Sequence, residues 1–170
     1  MKLTWSIGTS RLNLRKLNLQ DAEFIQALLN DPDCIRFIGD RNIHSVEDAQ
    51  KYLQGGPMLM YQQHNLGLLL VTLRTTGEPM GICGLLQRDY LLYPDIGFGF
   101  LPAFRTSGYA QEAAQSVINY AQENNLAKRI CAIVSPDNTR SISLLNKLGL
   151  SFNKIMDTSE LDQPTAYFIN

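Results

Sequence analysis

Residues 95–122, DIGFGFLPAFRTSGYAQEAAQSVINYAQ, constrain the fold more than any other part of the sequence. The apolar start of this segment predicts a buried strand over residues 95–101. A helix follows from Gly108, because small and apolar residues then repeat at helical spacing, namely Ala110, Ala113, Ala114, Val117, Ile118 and Ala121. A helix that begins directly at a strand–loop junction directs free backbone N–H groups and the positive end of its dipole to one point. The junction therefore predicts a site for a phosphate or a pyrophosphate.

The remaining patterns predict one mixed domain that covers residues 1–170. Two capping patterns, Asn18 with Asp21 and Ser45 with Asp48, predict the starts of two early helices. These helices are expected to end at residues 30–32 and 55–57. Period and turn signals predict strands over 10–17, 68–74, 80–87, 129–134, 152–156 and 166–169, a hairpin connection over 75–79, and helices over 108–124 and 138–148.

Charge and hydropathy argue against several classes of protein. The formal net charge of −1 gives no electrostatic reason to expect nucleic acid or an anionic membrane as a partner. The longest apolar run, residues 66–71, is too short to span a bilayer, and residues 1–16 lack the continuous apolar segment of a signal peptide. Three isolated cysteines have neither metal nor redox spacing, so they predict buried thiols, no metal site and a cytoplasmic location: Cys34, Cys83 and Cys131.

Two familiar phosphate-binding patterns do not fit the loop after the strand. A P-loop needs a longer loop framed by glycines and ending in Lys-Ser or Lys-Thr, and the sequence has none. Gly97 and Gly99 begin a dinucleotide-binding fingerprint, but Pro102 stands where its third glycine should be. Both glycines also lie inside the predicted strand rather than after it.

A third pattern, R-x-x-G-x-A over residues 105–110, fits the loop. Gly108 would let the backbone approach a diphosphate closely, and Ala110 is small enough for the helix to pack tightly on the strand. Arg105 and Ser107 would supply additional donors. The pattern is short and occurs often by chance, so a second motif is needed to assign a ligand to it.

The second motif follows the next predicted strand, as N-x-x-S-x-x-L-x-x-K-x-G-L over residues 138–150. The two motifs together resemble the GNAT superfamily of acyl-CoA-dependent N-acyltransferases. Further motifs resemble its ribosomal-protein N-acetyltransferase branch, the RimJ/RimL-like enzymes: R-L-x-L-R at 11–15, D-A at 21–22, G-x-x-G-L at 81–85, D-I-G-F at 95–98 and G-Y-A-x-E-A at 108–113. The resemblance covers nearly the whole chain in the expected order.

This resemblance implies a single-domain α/β (α+β) fold with a mixed, mostly antiparallel sheet that splays at the coenzyme site and is flanked by helices. It implies that the coenzyme A pyrophosphate is bound, mainly through backbone N–H groups, by Arg105, Thr106, Ser107, Gly108, Tyr109 and Ala110. The pantetheine arm would meet backbone groups of Phe98, Gly99 and Phe100. Asn138 and Ser141 would lie beside the pantetheine and the thioester sulfur.

Transfer of an acyl group from a thioester to an amine needs a base for the ammonium, donors for the oxyanion and an acid for the thiolate. The sequence has no nucleophile–base motif, so direct attack in a ternary complex is expected. Many superfamily members place a tyrosine acid where this chain has Leu145. In the RimJ/RimL-like branch a serine can take that role, and Ser141 occupies its position; the alternative for Ser141 is a first-turn residue that satisfies backbone groups.

Asp95 is the candidate base, because it begins the strand that would line the coenzyme site where the sheet splays. Asp89 lies just before that strand. The alternative for Asp95 is a structural hydrogen bond at the strand end. Arg88, Tyr90 and Tyr93 are candidate acceptor-pocket residues or members of an exposed loop. The two histidines are predicted to lie on the surface: His44 and His64.

The resemblance predicts that acetyl-CoA is the donor, a co-substrate used without a metal, and that the acceptor is the N-terminal amine of a protein. Residues 31–65 and 88–94 would set the acceptor. Three alternatives remain open: a small-molecule amine (amino acid, polyamine or drug) as acceptor, a coenzyme-A-binding sensor module without catalysis, and a plain nucleotide-binding protein. A weak homodimer is an expectation from the family.

Overall fold

A computed structural model describes residues 4–170, and its centre is one sheet. The strands are β1 (Ser6–Gly8), β2 (Leu12–Lys16), β3 (Gly67–Leu73), β4 (Pro79–Leu86), β5 (Asp95–Phe100), β6 (Cys131–Val134), β7 (Ser151–Met156) and β8 (Thr165–Ile169). They lie in the order β1-β2-β3-β4-β5-β6-β8-β7. Every neighbouring pair is antiparallel except β5 with β6. The predicted mixed, mostly antiparallel sheet is therefore confirmed.

Strands β5 and β6 separate almost as soon as they meet. Asp95 pairs with Cys131, and no later residue of β5 is paired with β6 in the described part of the chain. On its other side β5 is paired with β4 along its whole length. A strand needs a partner on each edge to satisfy its backbone groups, so the outer edge of β5 beyond Asp95 leaves polar groups open to a ligand. The predicted splay of the sheet is confirmed.

Among residues 4–170, six α-helices flank the sheet: α1 (Ala22–Leu29), α2 (Pro32–Ile38), α3 (Val46–Gly55), α4 (Pro57–His64), α5 (Tyr109–Glu123) and α6 (Thr139–Lys147). Helices α1 and α3 share a core with Leu68, Leu70 and Ile82 on one face of the sheet. On the other face, α5 buries the side that its spacing predicted, with Ala113, Ala114, Val117, Ile118 and Ala121.

Capping fixes where the early helices begin, as the sequence predicts. The Asn18 side chain accepts a hydrogen bond from Gln20 N at 2.9 Å, and the Asp21 carboxylate accepts one from Asn18 N at 2.9 Å. The Ser45 hydroxyl accepts from Asp48 N at 3.1 Å. Asn18 caps a 3-10 turn, Leu19–Asp21, that leads directly into α1, and Ser45 caps α3, so both predicted helix starts are confirmed. Such caps are predictable because they involve residues only three positions apart. The other predicted strands and helices are also present, with ends that move by at most two residues.

The two early helices end as predicted, α1 at Leu29 and α3 at Gly55, but each is followed directly by a helix that the sequence did not predict. Pro32 and Pro57 each occupy the first turn of a further helix, α2 and α4. Proline is well suited to that position, since the N–H it lacks would have no partner inside the helix. Asp31 caps α2 by accepting hydrogen bonds from Asp33 N at 3.1 Å and from Cys34 N at 3.3 Å. The short strand β1 was also not predicted.

The three cysteines are free and buried, which confirms the prediction of buried thiols. Burial raises the pKa of Cys34 and of Cys131 to about 11, so both thiols are protonated at neutral pH. In the described residues no group of three or more potential metal ligands comes together. Nor does any helix within residues 4–170 combine the length and the apolar character needed to cross a bilayer.

Candidate functional site

A cavity of about 490 Å³ lies where β5 and β6 diverge. Gly97 and Phe98 from the open edge of β5 line one side, and Ile133, Val134 and Asn138 line the other. Phe98 and Gly99 are half-buried along this edge, whereas the Phe100 side chain is buried in the core. An elongated ligand in the cleft can therefore exchange hydrogen bonds with the backbone of β5 as an added strand would. The role predicted for residues 98–100 stays a prediction that this geometry permits.

The loop of residues 105–110 lies at the end of β5 and leads into α5, as predicted. Thr106, Ser107 and Gly108 are exposed, and no side chain in the described part of the chain caps the start of α5. Gly108 has φ +80° and Thr106 has φ +70°. A positive φ is natural for glycine but costs about 1–2 kcal/mol for threonine, and such strain concentrates at ligand sites. The first-turn N–H groups of α5 are thus available to an anion.

Arg11, the residue just before β2, supports this loop through its side chain. Its Nη1 donates to Ser107 O at 3.0 Å and its Nε donates to the Glu112 carboxylate at 2.6 Å. The guanidinium also lies 4.4 Å from the centre of the Tyr109 ring. Glu112 additionally accepts from the Thr9 hydroxyl at 2.6 Å. Burial raises the pKa of Glu112, but the hydrogen bonds from Thr9 and Arg11 outweigh it and leave that pKa below its ordinary value.

The Arg105 side chain turns away from the loop's exposed face. Its Nε donates to Phe100 O at 2.9 Å, and its two terminal nitrogens bind Asp33 at 2.7 Å and Asp31 at 2.5 Å. The sequence suggested Arg105 as an additional donor to a diphosphate, but these three partners already engage its guanidinium. Arg105 remains part of the predicted loop through its backbone.

Asn138 and Ser141 come together at the start of α6, beside the open edge of β5. The Asn138 side chain accepts from Ser141 N at 3.2 Å and so caps the helix. The Ser141 hydroxyl lines the cavity and has no hydrogen-bond partner among the residues that the structure describes. Leu145 is 1% exposed and packs in the core where many relatives would place a tyrosine. Ser141 is thus available to a ligand, and its catalytic role stays a prediction.

Asp95 lies in the wall of the cavity at the point where β5 and β6 part, with 2% of its surface exposed. Arg88 Nε donates to both of its oxygens, at 3.0 and 3.2 Å, and Arg88 Nη1 donates to the Tyr90 hydroxyl at 3.3 Å. Burial raises the pKa of Asp95 above its ordinary value, and the positive charge of Arg88 opposes this only in part. The predicted base is therefore a buried carboxylate held in an ion pair.

A second surface cleft of about 550 Å³ adjoins the first, and Asp89 and His64 line it. Three residues line both spaces: Arg88, Tyr90 and Glu160. His64 and His44 are exposed, as predicted. Tyr93 instead belongs to a small apolar cluster with Cys131 and Tyr167.

Several lining residues were not singled out in the sequence. Arg36, Phe37 and Ile38 on α2, and Tyr52 on α3, all face the cavity. Burial raises the pKa of Tyr52. The sequence assigned this region to the acceptor side only in general terms, because α2 was not predicted and its orientation depends on distant contacts.

Comparison with known proteins gives concordant results. The family described as acetyltransferase (GNAT) domain matches residues 11–151. The uncharacterized N-acetyltransferase p20 of Bacillus licheniformis is 32% identical over 88% of this chain and 83% of its own length. The RimL ribosomal L7/L12 α-N-protein acetyltransferase in complex with coenzyme A has a TM-score of 0.84 at 15% identity, over 97% of each chain. A Salmonella typhimurium acetyl transferase that modifies the N-terminal serine of L7/L12 has a TM-score of 0.81 at 15% identity, over 97% of this chain and 98% of its own. At these identities the two structural likenesses show the fold alone.

Proposed function

The chain belongs to the GNAT acetyltransferase family and is an acetyl-CoA-dependent N-acyltransferase, and from this premise we propose that its acceptor is the α-amine at the N-terminus of a protein. The observation that carries the proposal is the second cleft, which adjoins the cavity at Arg88, Tyr90 and Glu160 and reaches the surface. A polypeptide that places its first residue at Asp95 needs such a channel for the residues that follow. The likeness in fold to the L7/L12-modifying enzymes supports the same class of acceptor.

The residues present fit acetyl-CoA as the donor substrate. The uncapped first turn of α5 offers N–H groups to the pyrophosphate, and the open edge of β5 offers backbone groups to the amide-bearing arm. When bound, the coenzyme supplies the activated thioester. We assign Arg105, Thr106, Ser107, Gly108, Tyr109 and Ala110 to the pyrophosphate, and Phe98, Gly99, Phe100 and Asn138 to the arm.

The groups in the cavity are sufficient for direct attack by the amine on the thioester. Asp95 accepts a proton from the ammonium, the neutral nitrogen forms a bond to the thioester carbonyl carbon, and the carbon–sulfur bond breaks. Ser141 donates a hydrogen bond to the departing thiolate and relays to it the second proton, which the attacking nitrogen loses as the amide forms. The proton that Asp95 needs to remove is held less tightly by an α-amine of pKa about 8 than by a lysine of pKa about 10.4. This contrast favours the N-terminal amine over a lysine side chain.

Isotope-labelled acetyl-CoA incubated with the protein and a cell extract tests the acceptor. We expect the label on the first residue of one or a few proteins, as located by mass spectrometry of their N-terminal peptides. Label confined to the small-molecule fraction would replace the proposal with an amino-acid, polyamine or drug acetyltransferase. Competition of ATP or NAD against coenzyme A for the loop would contradict the assignment of the donor.

Replacement of Ser141 by alanine is expected to lower kcat by about 10- to 100-fold, with the Kd for acetyl-CoA nearly unchanged. The reason is that the hydroxyl acts on the departing sulfur, whereas the cap of α6 uses the Ser141 backbone N–H and is retained. Ser143→Ala, an exposed position on the same helix, is the matched control and should turn over normally. An unchanged kcat in Ser141→Ala would return this serine to a structural role.

A further inference from the structure

The Arg105 side chain is largely buried and is held by three partners within the chain. Its side chain is 17% exposed, and its three nitrogens bind Phe100 O, Asp33 and Asp31 at 2.9, 2.7 and 2.5 Å. One guanidinium thus meets two carboxylates, so its positive charge is already balanced locally. A guanidinium in this state adds little attraction for a diphosphate.

The two carboxylates belong to the first turn of α2. Asp31 is the residue that caps this helix, and Asp33 follows one position after its proline. The same helix carries Arg36, Phe37 and Ile38 into the cavity wall, and it lies in the segment of residues 31–65 that is expected to set the acceptor. Arg105 therefore spans from the loop that would bind the diphosphate to the element that shapes the space for the amine.

We propose that Arg105 is a positioning residue that couples the loop of residues 105–110 to the acceptor wall formed by α2, through its ion pairs with Asp31 and Asp33. A loop that closes on the coenzyme carries the Arg105 backbone with it, and the planar guanidinium transmits the change to the start of α2. Because one guanidinium of the loop holds two carboxylates at the start of α2, the arrangement of each element biases that of the other. The coupling rests on the proposed acetyl-CoA site and adds a link between donor and acceptor binding.

A double-mutant cycle on acetyl-CoA affinity tests this coupling. Asp33→Asn and Arg105→Gln are each expected to raise the Kd for acetyl-CoA about 5- to 10-fold, and the double variant should be no weaker than Arg105→Gln alone. Glu47→Gln is the matched control, since Glu47 is also an exposed first-turn acid, on α3, and forms no ion pair with any residue that the structure describes. It should bind as the unaltered chain does.

If Arg105 instead binds the diphosphate directly, freeing it from Asp33 should leave the affinity unchanged or increase it. A Kd for Asp33→Asn equal to or below that of Glu47→Gln therefore overturns the coupling, while binding by the unaltered chain upholds the acetyl-CoA site. Failure of the unaltered chain to bind acetyl-CoA overturns both. The Asp33 side chain is 45% exposed, so its variant remains informative even if Arg105→Gln does not fold.

Hydrogen–deuterium exchange distinguishes coupling from a purely structural role, because a structural role would not link the protection of α2 to coenzyme binding. In the unaltered chain, saturating coenzyme A is expected to slow amide exchange both in residues 105–110 and in α2. In Asp33→Asn, also at saturation, the slowing in residues 105–110 should persist while that in α2 is reduced, because only the Asp31 ion pair remains. Equal protection of α2 in the two proteins would overturn the coupling.

Discussion

Replacement of Gly108 by glutamate is expected to weaken acetyl-CoA binding at least about 100-fold while the protein remains folded. The new side chain extends from the start of α5 into the space proposed for the diphosphate and brings a like charge to it. An added Cβ at Gly108 meets only Arg11 Nη2, at 3.5 Å, so the fold has room for it. The positive φ of +80° costs about 1–2 kcal/mol, which lowers stability without preventing folding.

Gly149→Glu is the matched control, because it introduces the same backbone strain outside the proposed diphosphate site. Gly149 has nearly the same conformation, φ +84°, and nothing lies within 4 Å of an added Cβ. Both variants should show a similarly reduced Tm, and isothermal titration should show acetyl-CoA binding only for Gly149→Glu. Retained binding in Gly108→Glu would show that the loop of residues 105–110 does not hold the diphosphate.

Replacement of Asp95 by asparagine is expected to lower kcat by about 100-fold or more, because the amine loses its proton acceptor. The pH profile gives the sharper reading. Burial raises the pKa of Asp95, and a base must be deprotonated, so the rate of the unaltered enzyme should fall as the pH drops through a value above the ordinary aspartate pKa of about 4. That acidic limb should be missing from the variant.

Asp21→Asn is the matched control for the Asp95 variant. Asp21 is also buried and also pairs with an arginine, since Arg15 donates to its two oxygens at 2.9 and 2.8 Å, but it does not line the cavity. Its loss should lower Tm and leave kcat and the pH profile unaltered. A normal kcat in Asp95→Asn would make Asp95 the structural residue that joins β5 to Arg88.

Local signals in the sequence predicted most of the fold. The cap at Asn18, the cap at Ser45 and the hairpin at residues 75–79 are each set by neighbours in the chain, and each is present. Helix α5 was predictable because its apolar spacing extends over four turns. Helices α2 and α4 were missed because Pro32 and Pro57 are signals that both end one helix and permit the next.

The candidate site was predictable only where a motif carries its own chemistry. Gly108, which the loop motif singled out for a close approach of the backbone, adopts a left-handed conformation, and Ser141 and Asn138 meet at the start of α6. The two carboxylate partners of Arg105 lie 72 and 74 positions away, and Glu112 is 101 positions from Arg11. Such pairings depend on how the whole sheet brings α2 and β2 beside the loop, which no local spacing encodes. Cytoplasmic location and a weak homodimer stay predictions.

A synthetic peptide with a free N-terminal amine and one internal lysine tests the central claim most directly. The peptide and acetyl-CoA are incubated with the enzyme, released thiol is measured, and mass spectrometry locates the acetyl group. We expect one thiol released for each acetyl group added, acetylation at the α-amine alone, and no reaction of the same peptide with a blocked N-terminus. Acetylation of the lysine, or tight acetyl-CoA binding without thiol release on any peptide, would contradict N-terminal acetyl transfer in this cleft.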